Sequence, residues 1–296
     1  MIAKYLDPKN DLAFKKIFGE EKHKRIPIAF LNAVFNLQNE DLILDLEFLN
    51  TTQAPEIEAR KESVVDVLVR DQKGSKYIVE MQVAKVEGFE KRAQYYAAKT
   101  YCSHFNKAKP YIDLKKVVFL AITSYVAFPK KKEYKSDHVI LDNKTLENDL
   151  EDFYFAFVEL PKFNKSIDEL ETMEDKWYYF LKHAEESNQI APIFASNPEI
   201  KEAYGVLEQV RWSEKELLEY DRVAMGILDT LGALSAARKE GLEEGEKKGL
   251  EKGLEEGEKE ASKRIAIQLL SLGLPLETIS LATKMTKEEI LALSNV

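Results

Sequence analysis

Asp66 and Glu80, with Gln82 two positions further on, are the side chains of this chain best placed to do chemistry. Carboxylates brought together among apolar neighbours must be paired, protonated or bound to a metal. A hard divalent cation such as Mg²⁺ or Mn²⁺ takes oxygen ligands and resolves such a pair most simply. Gln82 can orient a water or an anion by hydrogen bonding but brings no charge. Other chemistries have little support. The phosphate-cradling pattern G-x-x-x-x-G-K-S/T and the zinc pattern H-E-x-x-H are both absent. His23, His104, His138 and His183 are scattered, and Cys102 is the only cysteine, which leaves no internal disulfide or cysteine zinc site.

The acids need an element that brings them together, and the stretch 64–83, VVDVLVRDQKGSKYIVEMQV, supplies one. Val64–Arg70 and Lys76–Val83 alternate and are rich in β-branched residues, which predicts two strands. Gln72-Lys73-Gly74 is the natural closure, with Gly74 in the left-handed conformation of a bulged hairpin. That turn sets a register in which Asp71 faces Ser75, Val69 faces Tyr77 and Asp66 faces Glu80. Opposed residues on one face have Cβ atoms roughly 5 Å apart. Period two then puts Val64, Asp66 and Leu68 beside Ile78, Glu80 and Gln82. No Lys or Arg of the strand pair lies on that face. The opposite face, with Val65, Val67, Val69, Val79 and Met81, is also apolar, so burial on both sides is expected. The competing reading is a plain hairpin whose acidic pair points at water.

These residues carry a resemblance. Asp66, a hairpin and then Glu80-Met81-Gln82 resemble the PD-(D/E)xK nuclease core, and more narrowly the Rpn branch of recombination-promoting nucleases and transposase-like proteins. The run 10–19, NDLAFKKIFG, is similar to that family's opening motif. Phe89, Arg92, Tyr95 and Tyr96 resemble the helix after its hairpin, and 159–163, ELPKF, a later landmark. The resemblance implies an α/β (α+β mixed) fold, a mixed sheet flanked by helices, and a Mg²⁺-dependent endonuclease hydrolysing DNA. It implies Asp66, Glu80 and the Met81 carbonyl as metal ligands, and Gln82 as a catalytic residue. Asp11, Lys15, Arg92 and Tyr96 are the supporting residues it suggests. Gln82 stands where the wider superfamily has Lys, so Lys85, Lys15 or Lys16 is a candidate for the missing charge. Two rivals stand beside this reading. One is a weak or inactive nuclease fold serving as a DNA-binding or protein-interaction scaffold through its helical tail; the other is an RNA-directed nuclease.

The remaining sequence frames this core. The chain has 296 residues, 45% hydrophobic and 32% charged, with net charge −9. That argues against a surface-wide polyanion binder, although 107–135 holds eight lysines against Asp113 and Glu133. No apolar run approaches the ~20 residues of a membrane span. Asp7 and Lys4 interrupt any leader-like start, and a cytoplasmic protein is expected. Asp11–Phe18 reads as a helix starting at Asp11, Ile28–Phe35 as a second with Pro27 in its first turn, and Leu42–Leu49 as an edge segment. The period changes to 3.6 after Gln82, with Phe89, Ala93, Tyr96, Ala97, Thr100 and Tyr101 on one helical stripe. Val117–Thr123 and Phe153–Leu160 read as central strands.

We divide the chain into a nuclease-like core at 1–165 and a helical region packed on it at 166–238. A Gly/Glu/Lys spacer at 239–264 and a helical module at 265–296 follow. Glycine recurs at 241, 245, 249, 253 and 257. Each costs a helix about 1 kcal/mol relative to Ala, so an exposed marginal helix or semi-flexible spacer is expected. Thr286 and Glu289 form a capping box before the last helix. Self-association through these C-terminal helices is a further expectation.

Overall fold

The computed structural model describes residues 4–53, 63–103 and 110–293. The strands are β1 (Leu46–Phe48), β2 (Thr52–Gln53), β3 (Ser63–Val64), β4 (Val67–Asp71), β5 (Lys76–Gln82), β6 (Val117–Thr123), β7 (Lys135–Val139) and β8 (Phe153–Glu159). The helices are α1 (Asp11–Phe18), α2 (Arg25–Val34), α3 (Phe89–Cys102), α4 (Met173–His183), α5 (Pro192–Ala195), α6 (Pro198–Leu207), α7 (Glu214–Ser271), α8 (Leu276–Thr283) and α9 (Lys287–Leu293). Six strands form one sheet in the order β1-β4-β5-β6-β8-β7. β5, β6 and β8 run parallel, while β1, β4 and β7 are antiparallel to their neighbours. This is the expected α/β mixed sheet flanked by helices.

The hairpin forms because its turn chemistry is right. Gly74 takes φ +90°, a backbone conformation side chains avoid. The Asp71 carboxylate accepts from the backbone N–H groups of Lys73 and Ser75, each at 2.9 Å, and ties the loop down. Val69 pairs with Tyr77 and Val67 with Val79, the register set by the turn. β5 is then sandwiched. Leu68 and Ile78 face a cluster with Phe89, Ala93 and Ala97 of α3. Val67, Val69, Val79 and Met81 join the larger core with Phe14, Phe18, Phe30 and Trp177. Each such large apolar side chain contributes roughly 1.5–3 kcal/mol when fully buried.

Several expectations are corrected. The first core strand does not run unbroken from Val64 to Arg70. Its ladder with β5 begins at Val67, Asp66 lies in a bend, and Val64 pairs with Thr52 in a separate two-stranded sheet. The bend breaks the alternation, so Val65 packs on the α3 side with Leu68 rather than opposite it. α1 does start at Asp11, and its cap is Asn10, which accepts from the Leu12 N–H at 3.0 Å. β7 was not foreseen: its sequence, KSDHV, has only its edge pairing with β8 to make it a strand. The charged stretch 54–62, His104, Lys107 and Lys109 lie outside the described residues.

The chain divides into two compact units, 4–230 and 231–293, and α7 contributes residues to both. α7 is one continuous helix of 58 residues through every glycine of the four-residue repeat. Of the two forms expected of this stretch, exposed helix or semi-flexible spacer, it takes the helical one, with exposed Glu–Lys pairs at i,i+4, Glu244–Lys248 and Glu255–Lys259 among them. Ala266, Ile279 and Ile290 make the small core of the second unit. Thr286 and Glu289 exchange the two hydrogen bonds of a capping box, 2.8 and 3.2 Å. Among the described residues no helix is long and apolar enough to cross a membrane.

Candidate active site

The acids meet at the carboxyl end of β5, just where the β4 ladder stops. With no strand partner at Asp66, its own backbone N–H turns to the Glu80 carboxylate, Oε1 at 3.1 Å. Its side chain reaches past Glu80 and accepts from the Met81 N–H, Oδ2 at 2.9 Å. The pair is therefore clamped by two backbone donors rather than by a ladder register. The Gln82 carbonyl accepts from Ser124 on the β6 side at 2.9 Å. Successive strand carbonyls alternate edges, so that of Met81 is directed to the β4 edge, beyond the last ladder pair.

Helices bring the cations that the hairpin lacks. Lys15 of α1 sits with Nζ 3.6 Å from Asp66 Oδ1 and 2.8 Å from Asp11 Oδ1. Arg92 of α3 donates to Gln82 Oε1 at 2.7 Å, and Gln82 Nε2 donates to Glu80 Oε2 at 3.2 Å. The amide orientation follows from its neighbours, since only its oxygen can face the guanidinium and only its NH₂ the carboxylate. Gln82 thus relays between a cation and an acid. The Arg92 guanidinium lies over the rings of Phe89 and Tyr96, 5.0 and 6.0 Å from their centroids. Lys16, the neighbouring candidate, points elsewhere: its Nζ is 2.6 Å from Glu216 and 3.9 Å from the Trp212 ring centroid. It is removed as a source of charge at the acids. Lys85 is exposed in the connection between β5 and α3.

The electrostatics leave a surplus of negative charge. Glu80 is 3% exposed. Burial, then the charge of Asp66, push its carboxyl well above the ordinary range, against the Asp66 N–H, Arg92 and Lys15. Burial likewise raises Asp66, opposed by the Met81 N–H and Lys15 and reinforced by Asp11. Burial works against the Lys15 ammonium, but Asp11 and Asp66 outweigh it and hold its pKa above the usual value. Burial raises the Tyr96 phenol, which feels Arg92, Glu80 and Asp66. Two hard-oxygen carboxylates that resist ionisation side by side, with a carbonyl aimed at the same edge, suit a divalent cation. Among the described residues no set of three or more His, Cys, Asp or Glu side chains could hold a metal, so any cation here relies on the pair.

Residues 8–237 match the model of the PD-(D/E)XK nuclease family transposases. The chain belongs to that family. No curated protein and no solved structure matches it. The match spans α1, the hairpin, α3 and the first turns of α7, and so includes every residue assembled around Asp66. Within this PD-(D/E)XK member, sequence reasoning had named Arg92 without its partner. Pairing the Arg92 guanidinium with Gln82 depends on how α3 packs on the sheet, chiefly over β6, which no local pattern encodes.

Proposed function

We propose that the protein is a divalent-metal-dependent endonuclease that hydrolyses phosphodiester bonds of DNA. The observation that carries this reading is the pair of buried Glu80 and partly buried Asp66, clamped by backbone N–H groups and left short of positive charge. Asp66, Glu80 and the Met81 carbonyl would hold the cation, for which Mg²⁺ or Mn²⁺ fits the all-oxygen donors. When bound, such a cation lowers the pKa of a water and offsets charge on the scissile phosphate.

The chain's own residues do the rest. Lys15 places an ammonium on the α1 side of the acids, where it would meet a phosphate oxygen of bound DNA. Gln82 holds Glu80 in one rotamer and keeps Arg92 over the carboxyl end of β5. The charge that Lys gives the wider superfamily at position 82 comes instead from Lys15 and Arg92, each on a neighbouring helix.

Metal-dependent nicking of supercoiled plasmid by the full chain tests the reading, with Asp66→Ala and Glu80→Ala as controls. Nicking that needs Mg²⁺ or Mn²⁺ and disappears in both variants supports it. Nicking unchanged in both variants sinks it.

A further inference from the structure

Buried hydrogen-bonding atoms without partners are rare in a folded chain and costly, because each loses water and gains nothing. Among the described residues five side-chain atoms are in that position, and three of them belong to residues at the Gln82 end of β5 and β6 or on the helix that reaches it: Arg92 Nε, Ser124 Oγ and Tyr125 OH. The other two, on Tyr5 and Trp177, lie in the main core.

Topology accounts for this placement. β5 and β6 are parallel, with Gln82 opposite Thr123, so Ser124 and Tyr125 leave the sheet at the same end as Gln82. Ser124 is tied to that end by its N–H on the Gln82 carbonyl, and Thr123 Oγ1 donates to the Tyr125 carbonyl at 2.8 Å. The Tyr125 phenol feels the charges of Arg92 and Glu90 on the first turns of α3, and of Glu159 at the end of β8. Glu159 is already neutralised by Lys162 at 2.8 Å. Burial pushes the phenol up to about 12, so Tyr125 keeps its proton and remains a donor at neutral pH. Ligands of open parallel sheets sit outside the carboxyl ends of the strands, which is where these groups lie.

We infer that Arg92, Tyr125 and Ser124 form a phosphate subsite that seats the DNA backbone next to the bond cleaved at Asp66 and Glu80. The inference rests on the nuclease reading, shares Arg92 with it, and assigns Tyr125 and Ser124, which that reading does not use. A phosphodiester offers several anionic acceptors to a guanidinium and two hydroxyls at once. All three residues are only partly buried, so a side-chain rotation exposes the atoms without opening the core. Glu90 faces the same phenol and selects against a ligand that approaches from its side.

Tyr125→Phe separates this role from a structural one. It deletes a hydroxyl that bonds to nothing, so stability stays level or rises. The experiment uses full-length Glu80→Gln protein, which cannot cleave, and a fluorescein-labelled 20-base-pair duplex read by anisotropy across a salt series. Adding Tyr125→Phe weakens binding about tenfold at constant thermal midpoint, and Ser124→Ala weakens it in the same direction. Arg92→Gln lowers the slope of log affinity against log salt by about one. DNA binding by the Glu80→Gln parent that Tyr125→Phe leaves unchanged overturns the subsite and spares the nuclease reading. A parent protein that binds no DNA at any salt overturns both.

Discussion

Glu80→Gln is expected to stabilise the protein when divalent cations are chelated, although it removes a central residue of the site. The wild-type carboxyl is buried next to Asp66, and a like charge at such range shifts a pKa by roughly 1–3 units, each worth 1.36 kcal/mol. Neutralising it relieves about 1.4–4 kcal/mol. Part of this is returned. The new amide still accepts from the Asp66 N–H, but its NH₂ now meets the NH₂ of Gln82, which cannot turn without facing Arg92 with a donor. That mismatch costs about 1 kcal/mol or more. A net gain of about 0.4–3 kcal/mol raises the midpoint by roughly 1–12 °C. The sign depends on pH. A carboxyl whose folded pKa is raised keeps a proton that the unfolded chain has lost, so wild-type stability falls as pH rises from the unfolded pKa through the folded one. Glutamine has no proton to lose, so the variant's advantage is small near pH 5 and grows toward pH 8.5. Both tryptophans, Trp177 and Trp212, lie in the first unit, so thermal melts followed by their fluorescence in EDTA report on it. A wild type as stable as the variant at pH 8.5 without metal would refute the claim that the acids carry uncompensated charge. Mg²⁺ should then stabilise the wild type and leave the variant unchanged.

Further outcomes follow from the same geometry. Asp66→Asn keeps an acceptor for the Met81 N–H but should lower Mn²⁺ affinity, read by calorimetry, by more than the ~10–100-fold typical of an outer-shell loss. Lys15→Ala should cut nicking sharply, whereas Lys16→Ala, whose partners are Glu216 and Trp212, should leave nicking per folded molecule intact and cost only stability. Tyr220→Phe strands the Asp7 N–H that the phenol accepts at 2.9 Å, and should cost about 1–3 kcal/mol in urea melts followed by tryptophan fluorescence.

The hairpin, its closure at Gly74 and the strands at 117–123 and 153–159 were legible because each is a local signal. A period of two, an apolar run or a turn residue acts within a few positions, and the chain obeys it in any context compatible with the core. The meeting of Asp66 and Glu80 was legible for the same reason, through the length of one loop. The manner of their meeting was not. A bend at Asp66 replaced the ladder with two side-chain-to-backbone bonds, because the segment before it pairs with Thr52 and not with β5.

Periodicity tells which residues face a core and leaves open which polar groups meet across it. Lys15 and Lys16 are adjacent and identical in type, yet the turn of α1 sends one to Asp66 and the other to Glu216. Arg92 became the partner of Gln82 only once α3 packed on the sheet. Ser124 and Tyr125 carried no signal, since their place at the Gln82 end of the sheet comes from the parallel pairing of β5 with β6. The order of residues along the chain sufficed for the acids and the hairpin that carries them. Packing of helices on the sheet chose the cations and hydroxyls around them, because those contacts join segments whose separation in sequence no local rule can span.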